Sequence, residues 1–513
     1  MPERLSTRTL SALGWSYFGF GVRAGASFVT GVVLARILGP KPFGQIAAAL
    51  LVFGLGNLLA DGGFGSAIVQ APELDDADIR FAFTCQVFLG LVLTAICAFS
   101  APAVAVYLHD SAIEKVIQAI SCVFVIQSIG QTSSSLLRRR LLYRESQTAQ
   151  VAASVIGYSL IGITAACLGA GVWSLVAAQI TYCIVYSAIA VFLARHSWVP
   201  YWGQPRWHLA RYGIKMTGAN ILNYGISNLD KLFVGHAFGS TSLGLYSRAF
   251  NTVSPPTDAV VGTWQSVLFA SSSRAGGQIE KLQQGYLASV SVMSLVMCPV
   301  FWSVGVCAPS VVAGLYGGRW NEAAPLLRPL ALAMTLHAIM ALSGPMLSAA
   351  NQVKRELYVQ GLSVLLAILV FAACVRYSAV MLSWGVFGVY AFRCWALSRQ
   401  ALLLLQLRWR SLLQASEGGI LLGGVTAIAV WATDRIVSSQ LRNPVAILVA
   451  LFLAGSATSL ILLALASDRL LSRNLVKVLT QISGALPSAI ARPLREIDRK
   501  QAARESQLGP VSS

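Results

Sequence analysis

Apolar residues run through this chain in long stretches that no charge interrupts. Residues 146–194 contain no Asp, Glu, Lys or Arg, and neither do 81–108, 116–137, 282–318 or 443–467. A helix rises about 1.5 Å per residue, so about 20 apolar residues cross a hydrocarbon core roughly 30 Å thick. The uncharged run 146–194 therefore fits two spans, with a hairpin at Gly169-Ala170-Gly171. Followed along the whole chain, the pattern predicts fourteen spans: 11–37, 43–67, 81–108, 114–136, 147–168, 172–194, 210–235, 243–271, 282–308, 323–350, 357–375, 379–398, 416–433 and 444–467. The first apolar stretch begins near Ser11, is long, and lacks a small-residue cleavage site, so it reads as a span and not as a signal peptide.

The pattern also repeats. Gly39 and Gly44 bracket a turn into the second span, and Gly239 and Gly244 bracket its echo 200 residues later. Leu142-Tyr143-Arg144-Glu145 returns as Val353-Lys354-Arg355-Glu356, and Gly171-Val172-Trp173 as Gly385-Val386-Phe387. A repeat this long in a membrane chain implies two similar lobes with a substrate path between them. The expected fold is all-α: a polytopic membrane protein of two six-helix lobes, 1–208 and 209–410, two extra spans within 411–467, and a basic cytoplasmic tail, 468–513.

Composition agrees with that class. The chain is 56% hydrophobic and 11% charged, against about a quarter charged in soluble domains. Its net charge of +18 would suggest nucleic acid in a soluble protein. Here Lys and Arg crowd into short loops and the tail, where they set topology and touch anionic lipid, so no nucleic-acid partner is expected. Arg4 and Arg8, the cluster Arg138, Arg139, Arg140 and Arg144, then Arg195, Arg206 and Arg211, then Arg399, Arg408 and Arg410, and the tail all fall on one side if both termini share it. The positive-inside rule makes that side cytoplasmic. Trp198, Tyr201, Trp202 and Trp207 read as an interfacial belt. In the tail, Leu471, Leu475, Val478, Ile482 and Leu486 recur at helical spacing, which suits an amphipathic helix on the inner leaflet or a disordered segment.

The chain has no GxxxxGK[ST], HExxH or GxSxG motif, and its five His are dispersed. Direct use of ATP and metallohydrolase chemistry are therefore unsupported, no cofactor or metal is expected, and the chain reads as a non-enzyme. The nine Cys are scattered through apolar runs without a CxxC and read as buried thiols.

Charge inside the spans is the candidate chemistry, because an ionised group there usually faces a cavity or a partner. Ser16, Gly19, Arg23, Ser27 and Thr30 share one face of the first span. Thr217, Asn220, Tyr224, Ser227 and Lys231 repeat that stripe in the seventh. For Arg23 a cavity is favoured over packing, whereas Gly21-x-x-x-Gly25 reads as a close-packing motif. Arg23, Asn220, Lys231 and Arg393 are the candidate substrate-binding residues. For ion coupling the candidates are Asp258, Asp61 and Asp230. Asp258 follows Pro255-Pro256, which should kink or break the eighth span, and its carboxylate either caps the resumed helix or holds an ion. Asp61 pairs with a nearby cation or sits in a hydrated interface. Asp230 and Lys231, near the outer end of their span, could face water, and Arg36, Lys215 and Arg248 lie close enough to span ends to snorkel.

The stretches LARILGPKPFGQIAAALLVFGLGNLLADGGFGSAIVQ and LDKLFVGHAFGSTSLGLYSRAFN resemble signatures of the polysaccharide transporters, the Wzx-type lipid-linked oligosaccharide flippases, within the multidrug/oligosaccharidyl-lipid/polysaccharide exporter superfamily. The resemblance covers nearly all of residues 8–467. It implies two lobes working by alternating access in the cell inner membrane. It also implies translocation of an undecaprenyl-diphosphate-linked oligosaccharide for exopolysaccharide, capsule or O-antigen assembly. The implied partners are that lipid-linked oligosaccharide, membrane lipids, and polysaccharide polymerase and assembly proteins. The resemblance transfers no single motif to a site residue. A drug/cation antiporter of the same superfamily and, further off, a membrane polysaccharide polymerase are the alternatives. The first should need a deeper acidic site, the second a large extracytoplasmic loop that this chain lacks.

The topology is directly testable. Reporter fusions placed after Arg140 and after Arg410 should both report cytoplasm, and a periplasmic signal from either contradicts the span count.

Overall fold

The computed structural model describes residues 21, 24–71, 73–203, 206–274, 278–350, 352–472, 474–476, 480 and 497. Every regular element among them is helical. Eleven helices are long and apolar enough to cross a bilayer. The shorter apolar helix Ala24–Leu38 and the two arms of the helix Trp207–Arg274, which kinks at Gly239, stand where the sequence places the other three spans. The chain packs as two compact units, one through Arg248 and one from Ala249 onward.

The first unit holds α1 (Ala24–Leu38), α2 (Pro40–Asp61), α3 (Phe64–Gln70), α4 (Asp76–Tyr107), α5 (Ala112–Arg139), α6 (Tyr143–Cys167), α7 (Val172–Ala194) and the opening part of α8 (Trp207–Arg274). Helix α5 is its centre, packed against α2, α4 and α7. The α5 side chain Phe124 is 1% exposed and packs, tilted, with its ring centroid 5.0 Å from that of Phe53 on α2. A Cβ on Gly56 would run into the same ring, which is why the residue there is glycine. Within α6 the segment Val155–Gly162 winds as a π-helix, a local loosening often found near functional sites.

At one end of this unit the helices are tied by charge. Asp75 caps α4: it accepts the Asp78 N–H at 2.6 Å, while Asp78 accepts the Asp75 N–H at 3.3 Å. Arg206 then bridges Asp75 at 3.0 Å and Asp78 at 3.3 Å. The Asp78 amide and the Arg206 guanidinium hold the Asp75 carboxyl below the usual carboxylate range, against partial desolvation. Arg139 donates to the Ile68 and Ala71 carbonyls at the end of α3, and Arg140 to the Ala194 carbonyl at the end of α7. These arginines thus satisfy helix C-termini as well as marking a membrane face. Trp198 and Trp202 stay exposed at this end, as an interfacial belt requires, and the Trp207 side chain lies outside the described residues.

At the opposite end two glycines from the sequence repeat adopt the same backbone. Gly39 has φ 77 and ψ −177, and Gly239 has φ 75 and ψ −177, a region essentially closed to residues with a Cβ. Each turns the chain directly into the next helix, and the two helices cross at glycines. A Cβ on Gly244 would lie 2.8 Å from the Gly44 nitrogen, and one on Gly44 would strike the Ser240 carbonyl. Asp110, in the loop between α4 and α5, clasps this crossing. Its carboxylate accepts Ser240 Oγ at 2.6 Å, Gln45 Nε2 at 3.0 Å and the Ala112 N–H at 3.0 Å. Partial desolvation opposes ionisation, but these donors outweigh it and keep the carboxyl below its ordinary value.

The second unit holds the rest of α8, then α9 (Ile279–Val306), α10 (Ala308–Tyr316), α11 (Ala324–Met340), α12 (Ser343–Ala349), α13 (Val353–Cys374), α14 (Ala379–Leu404), α15 (Trp409–Gln440) and α16 (Pro444–Leu465). Helices α9 and α15 run close because Gly419 faces Ser294 and Gly423 faces Cys298. Helix α11 packs on α9 and α14. Helix α16 is the most apolar span and the least covered, with Leu453, Leu460 and Leu465 exposed. In a bilayer that surface meets lipid.

Three expectations are corrected here. The prolines 255 and 256 do not break α8, whose only non-helical residue is Gly239. The φ of proline suits a helix, and both proline rings lie on the exposed side of α8. Two of the nine cysteines, Cys122 and Cys167, are exposed and not buried, and all nine are free. Gly21 and Gly25 make no close approach among the described residues. In the tail, Val478, Ile482 and Leu486 lie outside the described residues.

Gly44→Val or Gly244→Val should abolish folded protein in the membrane, because the atoms met are backbone and cannot yield, whereas Gly262→Ala, with open space around it, should not. Membrane abundance and thermal unfolding of the purified variants read this; normal abundance of Gly244→Val contradicts the crossing. Because the folded state depresses the Asp110 carboxyl, its contribution is full above the unfolded carboxylate pKa and is lost as pH falls toward the folded value. Thermal stability of wild type should therefore decline on acidification through that range, and Asp110→Asn should remove that part of the decline.

Candidate functional site

Polar groups on spanning helices gather in two places, one in each unit. In the first unit, α5 carries Gln127, Gln131, Ser134 and Arg138 at spacings of four, three and four, which is one face of a helix. Ser146 and Gln150 on α6, and Tyr182 and Tyr186 on α7, each a turn apart, meet that face. Together they line a cleft of about 230 Å³ with no carboxylate in its wall. The rings of Tyr182 and Tyr186 lie parallel within 8°, 6.2 Å apart. Tyr186 shares a 2.8 Å hydrogen bond with Ser134, and Gln150 donates to Ser146 at 3.5 Å. The Gln127 Oε1 atom is buried and has no partner among the described residues.

Behind the cleft sits Asp61. It accepts Gln86 Nε2 at 3.0 Å, Gln131 Nε2 at 3.1 Å and the Gly65 N–H at 3.2 Å. Of the two sequence alternatives, a nearby cation or a hydrated interface, the cation is not among these partners, which are amides. Thr132 donates to Gln86 Oε1 at 2.5 Å and completes the network. The sequence signal for this cluster is glutamine on spanning helices, which a search confined to ionisable residues misses.

Asp230 does not face water. It is 7% exposed and accepts the Tyr246 hydroxyl, because the turn at Gly239 folds the second arm of α8 back over it. Lys231 donates to Asn228 at 2.9 Å. Arg248 does not snorkel: it donates to the Gly31 carbonyl and lies 4.8 Å over the Phe43 ring, inside the first unit. Tyr224 donates to the Leu51 carbonyl at 2.9 Å, and Thr30 bonds Ser159 at 2.7 Å. Arg23 and the side chain of Asn220 lie outside the described residues.

The second unit brings two of the sequence-predicted residues, Asp258 and Arg393, into one chain of contacts. Ser254 donates to Asp258 at 2.9 Å, and the other Asp258 oxygen stands 3.8 Å from His337 Nε2. His337 meets Tyr390 edge-on at 5.6 Å, and Arg393 lies 5.6 Å over the same ring. Arg393 then donates to Gln360 at 3.0 Å and lies within electrostatic reach of Glu356. Helices α8, α11, α13 and α14 each contribute. Asp258 stays exposed and, because α8 runs unbroken through it, caps no resumed helix, while Arg393 Nε and His337 Nδ1 are buried without a partner among the described residues. Sequence reading missed His337 and Glu356, although Glu356 belongs to the repeated Arg-Glu pair. The cluster offers both a carboxylate and a guanidinium in a partly enclosed place, suited to exchanging a proton or holding an anion.

Among solved structures, the chain is similar to the lipid II flippase MurJ in an inward closed conformation, with a TM-score of 0.68 at 12% identity over 88% of this chain and 97% of that one. An inward-facing multidrug resistance MATE family transporter of the MOP superfamily aligns with a TM-score of 0.56 at 15% identity, over 79% and 95%. At such identities the likeness is one of fold. Among sequence relatives, it is 24% identical to the lipopolysaccharide biosynthesis protein WzxC of Escherichia coli (strain K12), over 68% of this chain and 71% of that protein. It is 25% identical to the succinoglycan biosynthesis transport protein ExoT of Rhizobium meliloti (strain 1021), over 65% and 67%. The teichuronic acid biosynthesis protein TuaB of Bacillus subtilis (strain 168) is 20% identical, over 64% and 68%. Residues 33–325 match the polysaccharide biosynthesis protein family throughout, and the chain belongs to that family.

Proposed function

We propose that this protein moves a lipid-linked oligosaccharide from the inner to the outer leaflet of the cytoplasmic membrane, for exopolysaccharide, capsule or O-antigen assembly. The observation that carries the reading is the pair of mostly half-buried polar clusters on spanning helices: amides, phenols and guanidinium groups that a diphosphate-sugar headgroup can bond and a lipid tail cannot. ExoT, by its name a transport protein for succinoglycan biosynthesis, and WzxC, named for lipopolysaccharide biosynthesis, support the same substrate class. The prenyl tail stays in lipid, beside spans such as α16 whose surface is apolar. The protein makes and breaks no covalent bond, and polymerase and assembly proteins act on what it delivers.

Arg393 serves as the anion contact of the second unit, since its planar fork matches phosphate. Arg23 and Lys231 are proposed as further cationic contacts and Asn220 as a neutral one. Coupling rests on Asp258, which has His337 beside it and stays accessible. Asp61, whose Oδ1 already takes three donors, and Asp230, held by Tyr246, are weaker coupling candidates.

Deleting the gene in its own host should stop polymer export and build up lipid-linked oligosaccharide. Complementation with Arg393→Ala should restore on the order of a tenth of wild-type export, the loss of about one charge-assisted hydrogen bond, and Arg393→Lys an intermediate amount. Asp258→Asn should keep headgroup binding but weaken the dependence of export on the proton or sodium gradient. Normal polymer in the deletion strain, with new sensitivity to cationic drugs, would instead identify an antiporter.

A further inference from the structure

We infer that the cleft between α5, α6 and α7 is a glycan subsite that reads one sugar ring of the cargo, with Arg138 at its mouth taking an anionic oxygen. The inference rests on the flippase reading and assigns it a recognition site. Three stripes, on three different spanning helices, turn polar at the same place. Nothing in hydrocarbon would bond them, so the cleft is built for water or for a polar ligand.

The lining selects among ligands. With no carboxylate in its wall the cleft offers no counter-ion to a cationic drug. A single guanidinium suits one phosphate or one uronate, not a polyanion. Glutamine presents a donor and an acceptor side by side, which matches adjacent sugar hydroxyls. Gln127 keeps a buried acceptor without a partner among the described residues, and a ligand hydroxyl would satisfy it. The rings of Tyr182 and Tyr186 add aromatic faces of the kind that sugar C–H groups cover. The volume of about 230 Å³ has room for one ring and not for a whole repeat unit. Arg138 lies in the last turn of α5, one residue before the arginines that close α3 and α7. By the positive-inside rule this is the cytoplasmic end, so the subsite is placed to inspect cargo at loading.

The test uses the full-length protein in nanodiscs, titrated by native mass spectrometry with two probes. One is lipid-linked oligosaccharide extracted from the protein's own host; the other is bare undecaprenyl diphosphate. Wild type should bind the glycosylated probe more tightly. Gln127→Leu and Gln150→Leu, on different helices, should each weaken that probe roughly tenfold and leave the bare carrier unchanged, which also shows that the variants are folded. Arg138→Gln should weaken both probes if the anion is the diphosphate, and only the glycosylated one if it is an acidic sugar. Unchanged binding of the glycosylated probe by both glutamine variants, or equal loss on the two probes, overturns the subsite while leaving the flippase reading intact. No preference for the glycosylated probe in wild type likewise overturns the subsite, and binding of neither probe overturns the flippase reading itself.

Discussion

A polar side chain on a helix that crosses hydrocarbon finds no water to bond, so it must turn toward protein or toward a hydrated cavity. That constraint orders most of this molecule. It sends Leu453, Leu460 and Leu465 outward and gathers Gln127, Gln131, Tyr182 and Tyr186 into one cleft. It surrounds Asp61 with three donors and gives Asp230 the hydroxyl of Tyr246. On the proposed function, the atoms left incompletely paired, such as Gln127 Oε1 and Arg393 Nε, are the ones offered to cargo.

The crossing at Gly44 and Gly244 meets a second demand, that long helices approach closely without a hydrophobic force to drive them together in lipid. Two glycines allow the contact, two more at 39 and 239 aim the helices into it, and Asp110 ties it down from a loop. Residues separated by most of a lobe in sequence thus become one joint. The joint combines backbone sterics with hydrogen-bond donors gathered around one carboxylate.

Much of this is legible in the amino-acid sequence. Uncharged runs of membrane length locate the spans because burial in lipid leaves so plain a trace. The repeat foretells the matching turns at Gly39 and Gly239, since a backbone needing glycine leaves glycine behind. What fails are inferences from single residues. Pro255 and Pro256 read as a break, but a helix that has already kinked at Gly239 continues through them. Arg248 stands close enough to a span end to snorkel, yet the partner that holds it, the Gly31 carbonyl, lies more than 200 residues away in sequence. Asp258 and Arg393 are isolated charges along the chain. Only packing shows that His337, Tyr390 and Gln360 connect them. Side-chain partners of this kind depend on which helices touch, and periodicity in one helix does not contain that information.

One activity underlies the proposed role, passage of a sugar-bearing lipid headgroup across a bilayer by this chain alone. Purified protein should be reconstituted into vesicles that carry fluorescently tagged lipid-linked oligosaccharide in both leaflets, and a membrane-impermeant quencher added outside. With the protein present, the inner-leaflet fraction should become accessible to the quencher, while empty vesicles keep it protected. Protection that stays the same with and without a folded, correctly inserted protein, under an imposed proton or sodium gradient as well as without one, contradicts the central claim.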